Sequence, residues 1–329
     1  MKLPRISKPI FNVLIGPLLL LILGIAIWRV LGSSQQWPLF KGNLHLIFTE
    51  AQLLPFLLLG LLMPLNWLLE ALKWKMALQG IQPISIWTAF RATLSGVSFS
   101  VLLPNRVGDY LGRVVYLPPE IRATAVAVTM VASMSQLIWT IFFGLLSIIY
   151  LYPLLATKLF LPSSFYILAG SVLSVLLLIL LLLFFRISIV SVKLSLLINH
   201  PRFTSWMKGP QQFTQVQLLR LLGLSLIRYI IFLFQYGAAL AAFMILLNPL
   251  DWIAGICFTF LVLSVVPNFA VADLGVRGFV SVGVLGFFTL NKAGILLAVS
   301  SVWFVNLMFP AAMGALSLIG VQKFWKHVS

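Results

Sequence analysis

Polar positions in this chain fall in narrow bands between long apolar runs. Apolar stretches with few or no charges occupy roughly 11–31, 51–70, 124–152, 164–185, 219–247 and 294–319. Each approaches or exceeds the ~20 residues an α-helix needs to cross ~30 Å of hydrocarbon. The pattern therefore predicts an all-α polytopic membrane protein with about six full spans. Two further apolar stretches, 86–118 and 252–290, carry Pro, Asn, Gly, Asp and Arg near their middles. Proline lacks an N–H and clashes with the preceding turn. Each stretch is therefore expected as two short helical pieces around a break, a broken or re-entrant hairpin.

The placement of Lys and Arg gives these elements an orientation, because basic residues collect on the cytoplasmic side. Lys2, Arg5 and Lys8 assign the N-terminus to the cytoplasm, and Lys73 and Lys75 follow the second span back to it. The apolar run after the basic start has no convincing small-residue cleavage site, so a retained helix is expected there. A full crossing at 86–103 would leave Arg106, Arg113 and Arg122 outside, whereas a hairpin over 86–118 keeps them inside. Two more spans lead to a cytoplasmic stretch with Arg186, Lys193, Arg202, Lys208 and Arg220. A second hairpin at 252–290, entering from outside, lets the last span return to Lys323 and Lys326 in the cytoplasm, with Lys292 as an outside exception. Each half then reads span, span, hairpin, span, starting from opposite sides. That is the pattern of an inverted-topology repeat, with halves 1–155 and 160–329 inside one integral membrane domain, 1–329. The polar connector 199–218 is too short to be a domain.

Composition agrees and narrows the function. Of 329 residues 61% are hydrophobic and 9% charged, against roughly 25% charged in soluble domains. The 22 Lys and Arg outnumber six acids, for a net charge of +16. On a soluble fold that excess would point to nucleic acid. Here no soluble basic face exists, and anionic lipid heads are the expected partners. Cys257, the single cysteine, sits in an apolar run and is expected to be a buried thiol. His45, His200 and His327 are dispersed, and the chain has no zinc-binding spacing, P-loop or nucleophile elbow. No catalytic residue, metal ligand or cofactor is predicted, which leans away from an enzyme.

The two broken stretches resemble each other. The first reads Val101-Leu102-Leu103-Pro104-Asn105, then Asp109-Tyr110-Leu111-Gly112-Arg113; the second reads Ser264-Val265-Val266-Pro267-Asn268, then Asp273-Leu274-Gly275-Val276-Arg277. In both, Asp follows Pro by five or six residues and Arg follows Asp by four. Asn105 and Asn268 are good N-caps for a second half-helix. The free N–H groups and positive dipole end of that half-helix suit an anion such as phosphate. Arg113 and Arg277 can add forked donors, and Asp109 and Asp273 can neutralise them when the site is empty. Arg106 follows the first break and can face a headgroup, although snorkelling to the interface serves it equally well. The candidate substrate-binding set is thus Asn105, Arg106, Asp109, Arg113, Asn268, Asp273 and Arg277. The plainer reading has each Asp–Arg pair satisfying itself at a helix kink near the interface. Glu70 and Lys73, three apart, read as a surface pair at a helix end. Asn66 reads as packing glue between helices. Trp67, Trp74 and Trp87 read as an interfacial aromatic belt.

At these motifs the chain resembles the lysylphosphatidylglycerol synthase transmembrane-region family, also called flippase-like domain proteins, over roughly 10–320. The resemblance lies in Leu103-Pro104 with Gly108-Asp109 and Arg113, in Pro267 with Leu274-Gly275-Val276-Arg277, and in Lys73-Trp74. Asp109 stands where the family usually has Glu, and Gly278 where it commonly has Glu. The resemblance implies a bacterial cytoplasmic-membrane protein that moves phospholipids or lipid-linked headgroups between leaflets, here without the soluble aminoacyl-transferase domain of the bifunctional members. Two alternatives stand beside a transporter. One is an intramembrane enzyme acting on lipid or polyprenyl phosphates. The other is a non-transporting membrane partner of a separate glycosyltransferase or synthase.

Overall fold

A computed structural model describes residues 53–102, 107–159, 162–266 and 270–326. Among them the chain is all helix and turn, without a strand. In order come α1 (Leu53–Ala77), α2 (Ile86–Leu102), α3 (Val107–Val114), a 3₁₀ turn (Pro119–Ile121), α4 (Arg122–Leu159) and α5 (Ser163–Phe185). Then follow α6 (Ile187–Ile198), α7 (Pro201–Gln211), α8 (Gln215–Ala242), α9 (Pro249–Val265) and α10 (Ala270–Leu285). The described chain closes with α11 (Lys292–Trp303), a π-helical turn (Phe304–Met308) and α12 (Phe309–Lys326).

Five stretches are long and apolar enough to cross a membrane: Leu53–Ala77, Pro119–Thr157, Ser163–Phe185, Gln215–Ala242 and Lys292–Leu318. They coincide with five of the six expected spans. The expected span at 11–31 lies outside the described residues. Along α5, Ile167, Leu168, Val172, Val175, Leu178 and Leu182 are all exposed. A continuous apolar face of that kind is what lipid, rather than water, would cover. These features mark an integral membrane protein.

The ends of the elements have local causes. Helix α8 begins at Gln215, earlier than hydropathy alone predicts, because Thr214 caps it. The Thr214 hydroxyl accepts from the Gln217 N–H at 3.2 Å while the Gln217 side chain accepts from the Thr214 N–H at 3.0 Å, a reciprocal capping box. The same helix stops at Ala242, short of the expected 247, and Met244 follows with φ of 57°. Helix α6 stops at Asn199 in the left-handed conformation, which Asn tolerates better than most residues. The connector expected at 199–218 contains α7, which lies across the start of α4, with the Thr124 hydroxyl donating to the Ser205 carbonyl at 3.0 Å.

One end of the bundle gathers Ala77 at the end of α1, Leu78 just after it, Leu117 after α3, Phe184 at the end of α5 and Phe213 before α8 into a single core. The opposite end packs Leu151 and Leu155 of α4, Tyr166 of α5, Ala254 of α9 and Phe288 after α10. A third cluster joins α8, α9 and α11 through Tyr236, Phe243, Ile256, Ile295 and Val299.

The broken stretches are short helical pairs, as expected. Helices α2 and α3 run antiparallel and close: a Cβ on Gly96 would meet the Asp109 carboxylate at 2.5 Å, and one on Gly112 would meet the Gly96 Cα at 2.6 Å. Both open ends of this pair lie at the Ala77 end. In the second pair, Gly255 near the start of α9 faces Leu285 at the end of α10, so its open end lies at the opposite end of the bundle. Pro104, Asn105, Arg106, Pro267 and Asn268 lie outside the described residues.

Candidate functional site

Helix α1 carries a polar stripe down one face. Asn66, Glu70 and Lys73 recur at helical spacing and are buried, with 0%, 7% and 2% of their surface exposed. Buried charges persist only when paired, and Glu70 is the hub of the pairing. Its Oε2 lies 2.9 Å from Lys73 Nζ and 3.3 Å from Arg228 Nη1, while its Oε1 accepts from Arg113 Nη2 at 3.0 Å. Three helices, α1, α3 and α8, thus meet on one carboxylate.

Arg113 bridges two carboxylates. Besides Glu70 it donates from Nε to Asp109 Oδ1 at 3.0 Å and from Nη2 to Asp109 Oδ2 at 2.8 Å, the two-pronged geometry that guanidinium favours. Asp109 lies in the first turn of α3 and Arg113 in its last, so each charge also suits the local helix dipole. Lys73 Nζ donates to Ser225 Oγ at 3.3 Å, and Ser225 shares a 2.6 Å hydrogen bond with Ser135 of α4. Arg228 donates to the Gln136 side chain at 3.4 Å, and its guanidinium carbon lies 5.5 Å from the centre of the Trp67 ring.

Glu70 stands seven residues before the end of α1, and Arg228 stands thirteen after the start of α8. At about 1.5 Å per residue the cluster sits ~10–20 Å inside the Ala77 end. One turn deeper on α1 lies an uncharged network. Asn66 donates to Asn306 at 3.3 Å, Asn306 donates to the Gln235 side chain at 2.9 Å, and Gln235 donates to the Leu59 carbonyl at 2.8 Å. Asn306 occupies the π-helical turn, where the widened backbone leaves carbonyls in need of new partners; its amide also donates to the Val302 carbonyl at 3.0 Å. Gln235→Leu would leave part of the Asn306 amide unpaired and remove the side-chain bond to the Leu59 carbonyl. It is expected to lower stability by about 1–2 kcal/mol, seen as an earlier thermal midpoint in detergent when unfolding is followed by thiol labelling of buried Cys257.

Among the sequence candidates, Asp109 and Arg113 come together as an i, i+4 pair. Arg277 lies on α10, half-buried, and is not among the partners of this cluster. Asp273 also falls on α10. Asn105, Arg106 and Asn268 lie outside the described residues. No family model matches the chain, and no curated protein and no solved structure matches it.

The side chains that sequence reasoning missed are Arg228, Ser225, Gln235 and Asn306, all deep within apolar runs. The Glu70–Lys73 pair is not at the surface but buried at the centre of the cluster, because α3 and α8 close over it. Asn66 does bond across helices. Trp74 is wholly buried and donates its indole N–H to Thr129 Oγ1 at 3.0 Å. Trp87 is the exposed one of the three tryptophans, at 70%.

Proposed function

We propose that this chain is a lipid flippase or related lipid transporter that moves an anionic phospholipid or lipid-linked headgroup between leaflets. The observation that carries the reading is the buried ion cluster. Five charged side chains lie together inside a bundle of membrane-spanning helices, and a charge at bilayer centre costs about 2.5–3.5 kcal/mol or more. Packing alone does not require them, because apolar residues of similar volume are often as stable or more so.

The two helix pairs accord with this reading. They open at opposite ends of the bundle, as a pair of re-entrant hairpins in an inverted-topology repeat would. Lys75, Arg122, Arg186, Lys208 and Arg220 gather toward the Ala77 end, which accords with that end facing the cytoplasm. An apolar groove of about 410 Å³, lined by Phe56, Leu59, Leu274, Leu297 and Phe304, runs between α1, α10 and α11 and offers acyl chains a place beside the polar stripe. In this reading the α2–α3 hairpin moves. Its Arg113 is held to the α1–α8 pair through Glu70, so a headgroup that competes for these ions would loosen the tie. Asn105, Arg106, Asn268, Asp273 and Arg277 would line the rest of the path. The chain has no P-loop, so transport would run downhill or on an ion gradient.

The resemblance to the lysylphosphatidylglycerol synthase transmembrane-region family points the same way. The test is reconstitution of the full chain into liposomes holding a fluorescent phosphatidylglycerol, with a membrane-impermeant quencher added outside. Protein-bearing vesicles are expected to lose the inner-leaflet signal several times faster than empty ones. Equal rates would defeat the proposal.

A further inference from the structure

The charges of the buried cluster do not balance. Lys73, Arg113 and Arg228 face two carboxylates, Glu70 and Asp109. Among the described side chains no third carboxylate reaches them: Glu120 is exposed in the 3₁₀ turn, and Asp251 accepts from the Tyr150 hydroxyl at the far end of the bundle. The excess positive charge is also unevenly placed. Arg113 holds oxygens of both carboxylates at 2.8–3.0 Å, and Lys73 holds Glu70 at 2.9 Å. Arg228 has only the 3.3 Å contact to Glu70 and the 3.4 Å bond to Gln136.

Two further observations fall at the same corner. The Arg228 Nε–H is buried without an acceptor, and so is the indole N–H of Trp67, the ring against which Arg228 lies. Both groups are donors only. Buried donors without partners are rare and destabilising. Two of them on neighbouring side chains, in a cluster with one more cation than carboxylates, call for an oxyanion. Arg228 is also the most exposed of the three cations, with Asp109 the only more exposed member of the cluster at 24%. The Arg228 side chain is 19% exposed, against 2% for Lys73 and 3% for Arg113.

We infer that Arg228 and Trp67 form an oxyanion-binding site that takes a phosphate group, from a lipid headgroup or as free phosphate. Both N–H groups are covered as they stand, so the anion enters as the guanidinium turns from Glu70, its longest ion pair. Glu70 keeps Lys73 and Arg113, and no carboxylate is left unpaired. The site deepens the transport reading. Only the lipid source of the phosphate rests on that reading; the anion site does not.

The test is calorimetric titration of the full chain in non-ionic detergent with dioctanoyl phosphatidylglycerol, dioctanoylglycerol and inorganic phosphate. The wild type is expected to bind dioctanoyl phosphatidylglycerol at least about ten-fold more tightly than dioctanoylglycerol, the scale of a charged hydrogen bond. Arg228→Lys keeps the charge but loses the fork, and Trp67→Phe keeps the ring but loses the donor. Each is expected to remove most of that ten-fold difference, whereas Arg220→Gln, an exposed position on the same helix, leaves it in place. The Trp67→Phe arm stands even where Arg228→Lys disturbs folding. Inorganic phosphate binding with the same sensitivity assigns free phosphate; silence of phosphate while the lipid binds assigns the headgroup. Wild-type affinity in both variants overturns the site, and so does a wild type that neither prefers the phospholipid nor binds phosphate. Anion binding without faster lipid exchange in liposomes would defeat transport and leave the site standing.

Discussion

Glu70→Gln is expected to be the most damaging single substitution in the described chain. It removes the one carboxylate shared by Lys73, Arg113 and Arg228 and leaves two buried cations and one part-buried cation with Asp109 alone. Removing one partner of a buried ion pair typically costs about 3–5 kcal/mol, because the charge left behind is neither solvated nor paired. Here three cations lose contact at once, so the upper part of that range applies. The readout is the thermal midpoint in detergent, followed by labelling of Cys257, which is buried in the folded chain. A double variant tests the cause. Glu70→Gln with Arg228→Gln restores the original imbalance of one positive charge. If charge count governs, the double variant is more stable than Glu70→Gln alone, because contacting residues couple non-additively. If instead the two losses simply add, Glu70 acts through packing and the electrostatic account fails. A midpoint unmoved by Glu70→Gln would be more damaging still.

Much of this architecture was legible in the sequence. Length and apolarity fixed the spans that became α1, α4, α5, α8 and the α11–α12 helix, because a bilayer imposes its thickness on any helix crossing it. The breaks in 86–118 and 252–290 showed as Pro, Asn and Gly inside apolar runs, and the helices do stop there, at Leu102 and Val265. The Asp109–Arg113 pair was readable because i, i+4 spacing is local. The centre of the cluster was not. Glu70 and Lys73 stand three apart near the end of an apolar helix, and nothing local separates a surface pair from a buried one. That distinction depends on α3 and α8 folding over them from positions tens to more than a hundred residues away. One signal was available: Arg228 lies in the middle of the 219–247 run, where an ionisable residue costs too much to be incidental. Trp74 departs from the expected aromatic belt for a similar reason. Its partner, Thr129, lies on α4, and the interfacial habit of tryptophan gave no hint of it.

Gly112→Val is expected to have the second-largest effect, by prising the first hairpin open. A Cβ at this position would meet the backbone of Ser95 and, at 2.6 Å, the Cα of Gly96. These obstacles are main chain, so no rotamer change can make room. Gly108, four residues earlier on the same face of α3, is blocked in the same way by the backbone of Phe99 and Ser100. Small residues at this spacing let two membrane helices approach to backbone contact. Helix α12 also packs on α2 beside this contact, where the Ser95 hydroxyl donates to the Gly314 carbonyl at 3.3 Å. Overpacking a close-packed site costs about 1–3 kcal/mol; the value here should lie near the top of that range, with a further consequence for the cluster. Arg113 follows Gly112 directly, so any displacement of α3 lengthens its bonds to Glu70. Gly112→Val should therefore cost less when Glu70 is already Gln, since the contact it would strain is gone. Gly223→Val, on α8 with open space around the position, serves as the control for inserting a branched residue into a membrane helix. If Gly112→Val is tolerated as well as Gly223→Val, the tight α2–α3 approach is not what holds Arg113 in place.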